Sequence, residues 1–417
     1  MSSSRDAPTD WREFNLGELL SLSNGINADK SAYGHGVPFV NVLEVITHES
    51  LRVHDIPGRV NLPKKILSRY EVKRGDVLFN RTSETQDEVG LTSVYIDDEP
   101  IVFGGFVFRG RPITSEMDIE FSKYALRSAA VRQQIISRGQ GGIRANIGQR
   151  DLKTVRVWLP EHREQGAIAS ALSDIDRLIR KLQRLIAKKQ VIKQGMMQQL
   201  LTGRTRLPGF SEPWHDLNAG DIGVFKGGSG FPVRYQGAIS GTFPFFKVSD
   251  MNRLGNELFM TTANNYISNA QQKSIGAVVI PEGAIVFAKV GAAVFLERKR
   301  ILAQPSCIDN NMAAFMLDGA KANIRFVHYS LTNFPLGSLV ATGALPSLNG
   351  RQLRSIPLRM PKDLDEQRAI AEVLDEADAE IASLRARAKK ARAVKNGMMQ
   401  ELLTGRTRLS VQEKAAS

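Results

Sequence analysis

The chain has 417 residues, 42% hydrophobic and 24% charged, with 56 Lys and Arg against 43 Asp and Glu, a formal net charge of +13. That length asks for two or three domains, the ordinary composition excludes wholesale disorder, and the basic balance suits either a nucleic-acid partner or a plain basic surface. The lone Cys307 excludes an internal disulfide, and the first ten residues lack the apolar core of a signal peptide, so the cytoplasm is the expected compartment.

Residues 1–160 read as a first globular α+β domain: short strands punctuated by Gly and Pro, with one longer helical pattern at 121–137. Polar and basic loops separate the strands. They carry Arg81, Thr82 and Ser83, then Arg109 and Arg111, then a glycine-rich stretch at 138–150 with Arg144, Asn146, Gln149 and Arg150. Such side chains reach phosphates or base edges, although for each one alone a solvated surface role is the commoner reading. Asp55 with Glu71-Val72-Lys73 resembles a nuclease trace for Mg²⁺, and surface charge is the preferred reading.

Residues 161–205 read as a long helix. Ile168, Leu172, Ile175, Ile179, Leu182 and Ile186 alternate spacings of four and three, a coiled-coil seam, over about 60 Å of helix. Between Arg177 and Arg206 stand nine cations and no acid, which fits either a phosphate backbone or a solvated helix face.

Residues 206–361 read as a second globular domain. Its apolar stretch at 275–296 is broken by Pro281-Glu282-Gly283 and by Lys289, so two buried strands around a turn are expected there, not a membrane span, and a helix is expected near 322–334. The candidate nucleic-acid contacts are Lys247, Lys289, Asn310 and Asn311, and then Ser347, Asn349 and Arg351 within 343–354. A second long helix follows at 362–407, with Ile370, Leu374, Ala377, Ile381, Leu384 and Ala388 on its stripe, and a tail at 408–417.

The second half repeats the first. GMMQQLLTGRTRL at 195–207 and GMMQELLTGRTRL at 397–409 agree at twelve of thirteen positions, 202 residues apart. The same offset aligns Glu164-Gln165 with Glu366-Gln367. Upstream, Trp11 and Gly17 match Trp214 and Gly220, and the strand at 75–79 matches 283–287, with Asp76 replaced by Ala284. Two similar stripes in one chain suit each other as partners, antiparallel by chain order, with pseudo-twofold symmetry. Packing of each helix on its own globular domain is the blander alternative.

No P-loop or amino-methyltransferase tetrapeptide occurs, and the six histidines show no metal-ligand spacing; catalytic residues and metal ligands are therefore read as none. A single-chain nuclease or methyltransferase, or a scaffold that never touches bases, are the competing readings. On the Trp and Gly openings, the strand at 75–79, the Glu-Gln helix starts and above all the twice-used Met-Met-Gln-x-Leu-Leu-Thr-Gly-Arg segment, the whole chain resembles the specificity subunits of type I restriction-modification systems.

The resemblance implies two target-recognition domains separated by an antiparallel helix pair, each reading one half of a split, asymmetric site in double-stranded DNA. It implies two modification subunits as partners, with S-adenosylmethionine, and restriction subunits. S-adenosylmethionine, ATP and Mg²⁺ are expected in those partners, and no cofactor in this chain. Two equal partners are the simplest reason to keep two equal surfaces. The expected subunit interface is therefore Gln194, Met196, Met197, Gln198 and Arg204, repeated as Asn396, Met398, Met399, Gln400 and Arg406. The methionines equally suit closing the helix pair.

Overall fold

The computed structural model describes residues 8–141, 144–340 and 346–409. It divides into two units, Met1–Gln183 with Ala386–Ser417, and Arg184–Arg385. In the first, a five-stranded sheet has the spatial order Leu20–Asn24, Val107–Pro112, Val77–Asn80, Thr92–Tyr95, Ser50–Leu51. In the second the order is Gly223–Gly227, Met312–Leu317, Ile285–Ala288, Lys299–Leu302, Phe259–Met260, element for element the same. Each unit adds a three-stranded sheet whose central strand pairs in parallel, Phe39 with Val102 and Phe245 with Cys307. Each also has a two-stranded sheet joining the start of its globular part to the end, Arg12–Asn15 with Arg156–Leu159, and Trp214–Asn218 with Pro357–Pro361.

The repeated residues mark the same joints. Gly75 and Gly283 enter equivalent strands at φ 89° and 80°, backbone that a side chain would strain. A Cβ on Gly17 would lie 3.0 Å from Lys153 Cβ, and one on Gly220 3.1 Å from Arg354 Cβ, so at both openings glycine permits a close approach to a short helix.

The helical pattern at 121–137 is two helices, Ile119–Ala125 and Ala129–Arg138. Ser128 breaks the run by capping the second, its hydroxyl accepting from Val131 N. The stretch at 275–296 holds one strand, Ile285–Ala288, since Ile280 makes a single bridge to Ser306 and Ala292–Leu296 is a 3₁₀ turn. No helix among the described residues is long and apolar enough to cross a membrane.

The long helices are His162–Leu200 and Leu364–Leu402. Both packing readings hold, and they overlap where each helix begins. Ile168 and Leu172 join the core of the first unit together with Leu402, and Ile370 and Leu374 join that of the second with Leu200 and Leu201. Polar clamps, at the helix starts and about three turns on, tie the helices antiparallel. In the first unit Arg408 meets Glu164 at 2.6 Å and Lys395 meets Asp176 at 2.8 Å; in the second Arg206 meets Glu366 at 2.6 Å and Lys193 meets Asp378 at 2.6 Å.

The Glu-Gln helix starts thus have distinct tasks. The Glu receives the last arginine of the opposite helix's repeat. The Gln holds the globular domain: Gln165 accepts from Asp118 N (2.8 Å) and donates to Glu116 O, while Gln367 accepts from Asn323 N (2.7 Å) and donates to Lys321 O. A third device is also duplicated. Tyr124 donates to Asp176 and Tyr329 to Asp378, at 2.7 and 2.8 Å, so that each Asp joins a tyrosine of its globular domain to a helix lysine. In the first unit Arg408 also meets Asp10 and a Cβ on Gly405 would lie against Pro8, so the last described residues pack on the first ones.

Candidate nucleic-acid interface

In the first unit, two loops are stitched together beside the sheet. Thr82–Ser83 pairs antiparallel with Ala145–Asn146, Ile147 N donates to Arg81 O (3.1 Å), and Arg81 N donates to Phe106 O (2.9 Å). Arg81, Arg144, Asn146 and Arg150 are exposed, and Thr82 and Gln149 are half-buried. Thr82 donates to Asn146 Oδ1 (2.7 Å), Gln149 donates to Asn24 Oδ1 (3.1 Å), and the Arg81 guanidinium sits 5.4 Å from the centre of the Phe108 ring. Hydroxyls and amides already oriented by one another, with exposed guanidiniums around them, form a surface suited to phosphates and base edges. Gly142 and Ile143 of the loop at 138–150 lie outside the described residues.

Three residues of the expected set do not face this surface. Ser83 is buried and donates to Glu88. Arg109 and Arg111 turn inward: Arg111 meets buried Asp76 at 2.7 Å and donates to Glu71 O at 2.8 Å, and Arg109 also donates to Glu71 O. Desolvation lowers the Arg109 pKa, while the hydrogen bond to Asp76 raises that of Arg111. Their cationic charge is consumed within the unit, and we remove them, with Ser83, from the candidate contacts.

The second unit reproduces the backbone and changes the side chains. Lys289 N donates to Asn311 O (2.8 Å), Leu348 N donates to Lys289 O (2.8 Å), and Val290 bridges Ser347. Lys289 thus replaces Arg81, Asn311 replaces Phe106 and Ser347 replaces Asn146. Asn310, Asn311, Ser347, Asn349 and Arg351 are exposed; Asn349 spends its side chain capping Gly350–Arg354. Lys247, half-buried, donates to Gln236 Oε1 at 3.1 Å. The Asn24 and Gln149 pair is replaced by Gly227 and Gly350, and a Cβ on Gly227 would meet Lys289 Nζ at 2.8 Å. Residues 343–345 of the loop at 343–354 lie outside the described residues.

Sequence reasoning missed Asn24 and Phe106, since nothing local singles out an asparagine at a strand end or one phenylalanine after Gly-Gly. The nine-cation run is partly spent on ion pairs: Lys189 with Glu380, Lys193 with Asp378, Arg206 with Glu366 and Arg177 with Asp174, leaving Arg180, Lys181, Arg184, Lys188 and Arg204 exposed. Of the expected subunit interface, Met196 and Met197 pack on the second unit's core and Met398 and Met399 on the first's; Gln194, Gln198, Arg204, Asn396, Gln400 and Arg406 are exposed. Asn396, Gln400 and Arg406 line a groove with Ser128 and Ala129. No group of acidic, His or Cys side chains among the described residues is placed to hold a metal. Asp55 caps its own turn at Arg52 N (2.9 Å), and half-buried Glu71 meets exposed Lys73 at 3.6 Å.

The family described as type I restriction modification DNA specificity domain matches residues 8–193 and again 211–392. A type I restriction enzyme specificity subunit of Methanocaldococcus jannaschii, MjaX, is 24% identical over 97% of this chain and 95% of its own length. The MjaVIII specificity subunit of the same organism is 22% identical over 63% of this chain and 65% of its own. Among solved structures, the type I S subunit from M. genitalium superposes with a TM-score of 0.59 at 14% identity, covering 99% of both chains. A chain solved in work on complex assembly and conformational transition of the type I R-M system gives 0.61 at 17%, covering 96% of this chain and 99% of that one. These two likenesses speak for the fold.

Proposed function

Because this chain belongs to the type I restriction-modification DNA specificity family and carries two of its specificity domains, we propose that each unit reads its own half of a bipartite, asymmetric site in double-stranded DNA. The observation that supports this most directly is the pair of stitched loops. Their backbone bonds are the same in both units, whereas the side chains they present differ at almost every position, as two readers of different half-sites require. In this reading residues 1–160 and 206–361 are the target-recognition domains, and the long helices fix the gap between half-sites. The exposed polar members of the repeated segments help to bind two modification subunits, which carry S-adenosylmethionine, and restriction subunits join through them with ATP and Mg²⁺. The chain itself acts as the non-catalytic, DNA-reading part of the assembly.

The test is to express the complete system in a host lacking other methylation and sequence its methylome, first with the natural chain and then with residues 1–160 exchanged for those of a relative. A split motif is expected, of which one half alone changes on exchange. A motif whose two halves change together, or no motif, overturns the reading.

A further inference from the structure

Phe106 stands out among the apolar side chains beside the candidate interface because it is 60% exposed on a turn held by backbone hydrogen bonds. Gly104 N donates to Val40 O (2.9 Å), Gly105 N to Ile26 O (2.8 Å) and Val107 N to Gly104 O (2.9 Å). A Cβ on Gly105 would meet only the end of the exposed Asn27 side chain, at 2.0 Å from its Oδ1, so it is these backbone bonds that hold the turn. Isolated surface apolar residues are ordinary and need no role. This one differs by its place. Its carbonyl accepts the hydrogen bond that anchors Arg81, it is two residues from the Phe108 ring under that guanidinium, and it lines the mouth of a cavity of about 460 Å³ with Asn27 and Asn41.

The second unit keeps the turn and replaces the ring. Lys289 N is anchored on Asn311 O just as Arg81 N is on Phe106 O. One position therefore carries an apolar ring in one unit and an amide in the other, at the same point of the same scaffold. An amide can pair with the hydrogen-bonding edge of adenine; a phenylalanine can contact only the apolar feature of a base edge, the thymine methyl group. An already exposed phenylalanine, with two side-chain torsions on an anchored turn, loses little freedom on binding.

We propose that Phe106 is a specificity-determining residue of the first unit, reading an A·T pair of its half-site through the thymine methyl group. This rests on the half-site reading above. The test uses the assembled complex with its modification subunits and duplexes bearing the motif, in which each thymine in turn is replaced by deoxyuridine, a change that removes only the methyl. With the natural chain, one thymine in the half-site assigned to residues 1–160 should show about a 4-fold loss of binding, the worth of one methyl group. With Phe106→Ala that sensitivity should vanish and the methylome motif relax at the same pair, while Asn311→Ala leaves the sensitivity intact.

A natural chain without a split motif would remove the half-site reading itself. A split motif in which no thymine of that half responds, or in which the response persists in Phe106→Ala, would overturn the assignment of Phe106 alone. So would loss of modification-subunit assembly by Phe106→Ala in sedimentation, which would mark the ring as a protein contact. The deoxyuridine scan on the natural chain needs no variant to fold.

Discussion

Between adjacent strands of the first unit, Asp76 is buried against Arg109 and Arg111, its carboxylate also accepting from Lys73 N at 2.9 Å. At the same three places in the second unit stand Ala284, Ala314 and Met316, part of an apolar cluster with Phe246 and Ile308. The charged triad and the apolar triad hold the same pair of strands in the same register, so the fold does not require the charges. They are exchangeable only as a set, because a buried charge without its partner costs far more than the pair contributes. The clamps between helices and globular domains behave oppositely, keeping their residue types in both units.

The largest effect is expected where a clamp has no substitute. Glu366 is fully buried and accepts from Arg206 Nε and Nη2 and from Trp214 Nε1 (3.2 Å). Glu366→Ala strands all three donors and should destabilise by about 3–4 kcal/mol in urea unfolding. Glu164→Ala should cost about half as much, since Arg408 is more exposed and retains Asp10. Equal losses would mean that the two clamps are equivalent after all.

Next comes the triad. Asp76→Ala leaves Arg109 and Arg111 facing each other across the vacated site, and should cost about 2–3 kcal/mol. Adding Arg109→Ala and Arg111→Met, which installs the second unit's set, should restore most of that loss. Additive destabilisation across the three changes would show that the first unit's core has adapted to its charges beyond these residues.

A smaller, pH-dependent difference separates the helices that begin at Ile119 and Ile324. His328 in the second unit occupies the place of Lys123 in the first; Lys123 is paired with Glu120 at 2.7 Å. His328 Nε2 donates to Lys299 O (3.1 Å) and Nδ1 faces Arg325 Nη1 at 3.3 Å, with Arg300 and Asp375 also nearby. Burial, reinforced by Arg325 and Arg300, lowers its pKa to about 4. A depressed folded value favours the neutral ring, so its contribution is complete above the unfolded pKa of about 6.5 and is lost as pH falls toward 4. Between pH 7 and pH 5 the natural chain should lose about 2 kcal/mol that His328→Gln does not lose. Parallel stability curves for the two proteins would remove His328 as the source.

The duplication, the long helices and their antiparallel pairing were legible because they rest on short-range signals: identical segments, apolar spacing and the order of elements along the chain. The Glu-Gln starts were visible as repeated residues but not as clamps, since the partner of Glu164 is Arg408, distant in sequence. Arg109 and Arg111 looked like free cations for the same reason: the carboxylate that holds them, Asp76, stands at the head of the adjacent strand, more than thirty residues earlier in sequence. The break at Ser128 was hidden inside an unbroken helical pattern, and only its side-chain cap reveals it. Phe106 and Asn311 became comparable only when backbone hydrogen bonds aligned two turns whose sequences share nothing.

The smallest effect on stability is expected at the repeated segments, and it separates two reasons for their near identity. Arg206, Arg408 and the methionines are explained by the clamps and by the cores they enter. Gln198 and Arg204 are not. Both are exposed, and the hydrogen bond that the Gln198 backbone carbonyl accepts from Thr202 Oγ1 at 2.6 Å does not involve the Gln198 side chain. If internal packing alone preserved the repeat, these two would be free to vary. Replacing Gln198 by Ala and Arg204 by Glu should therefore leave the melting temperature within about 2 °C, as surface substitutions do, yet weaken assembly with a modification subunit, most strongly at low salt where the reversed charge is least screened. Sedimentation of the mixed subunits measures this directly. Unaltered assembly would assign the whole repeat to the clamps and move the partner surface elsewhere on the chain.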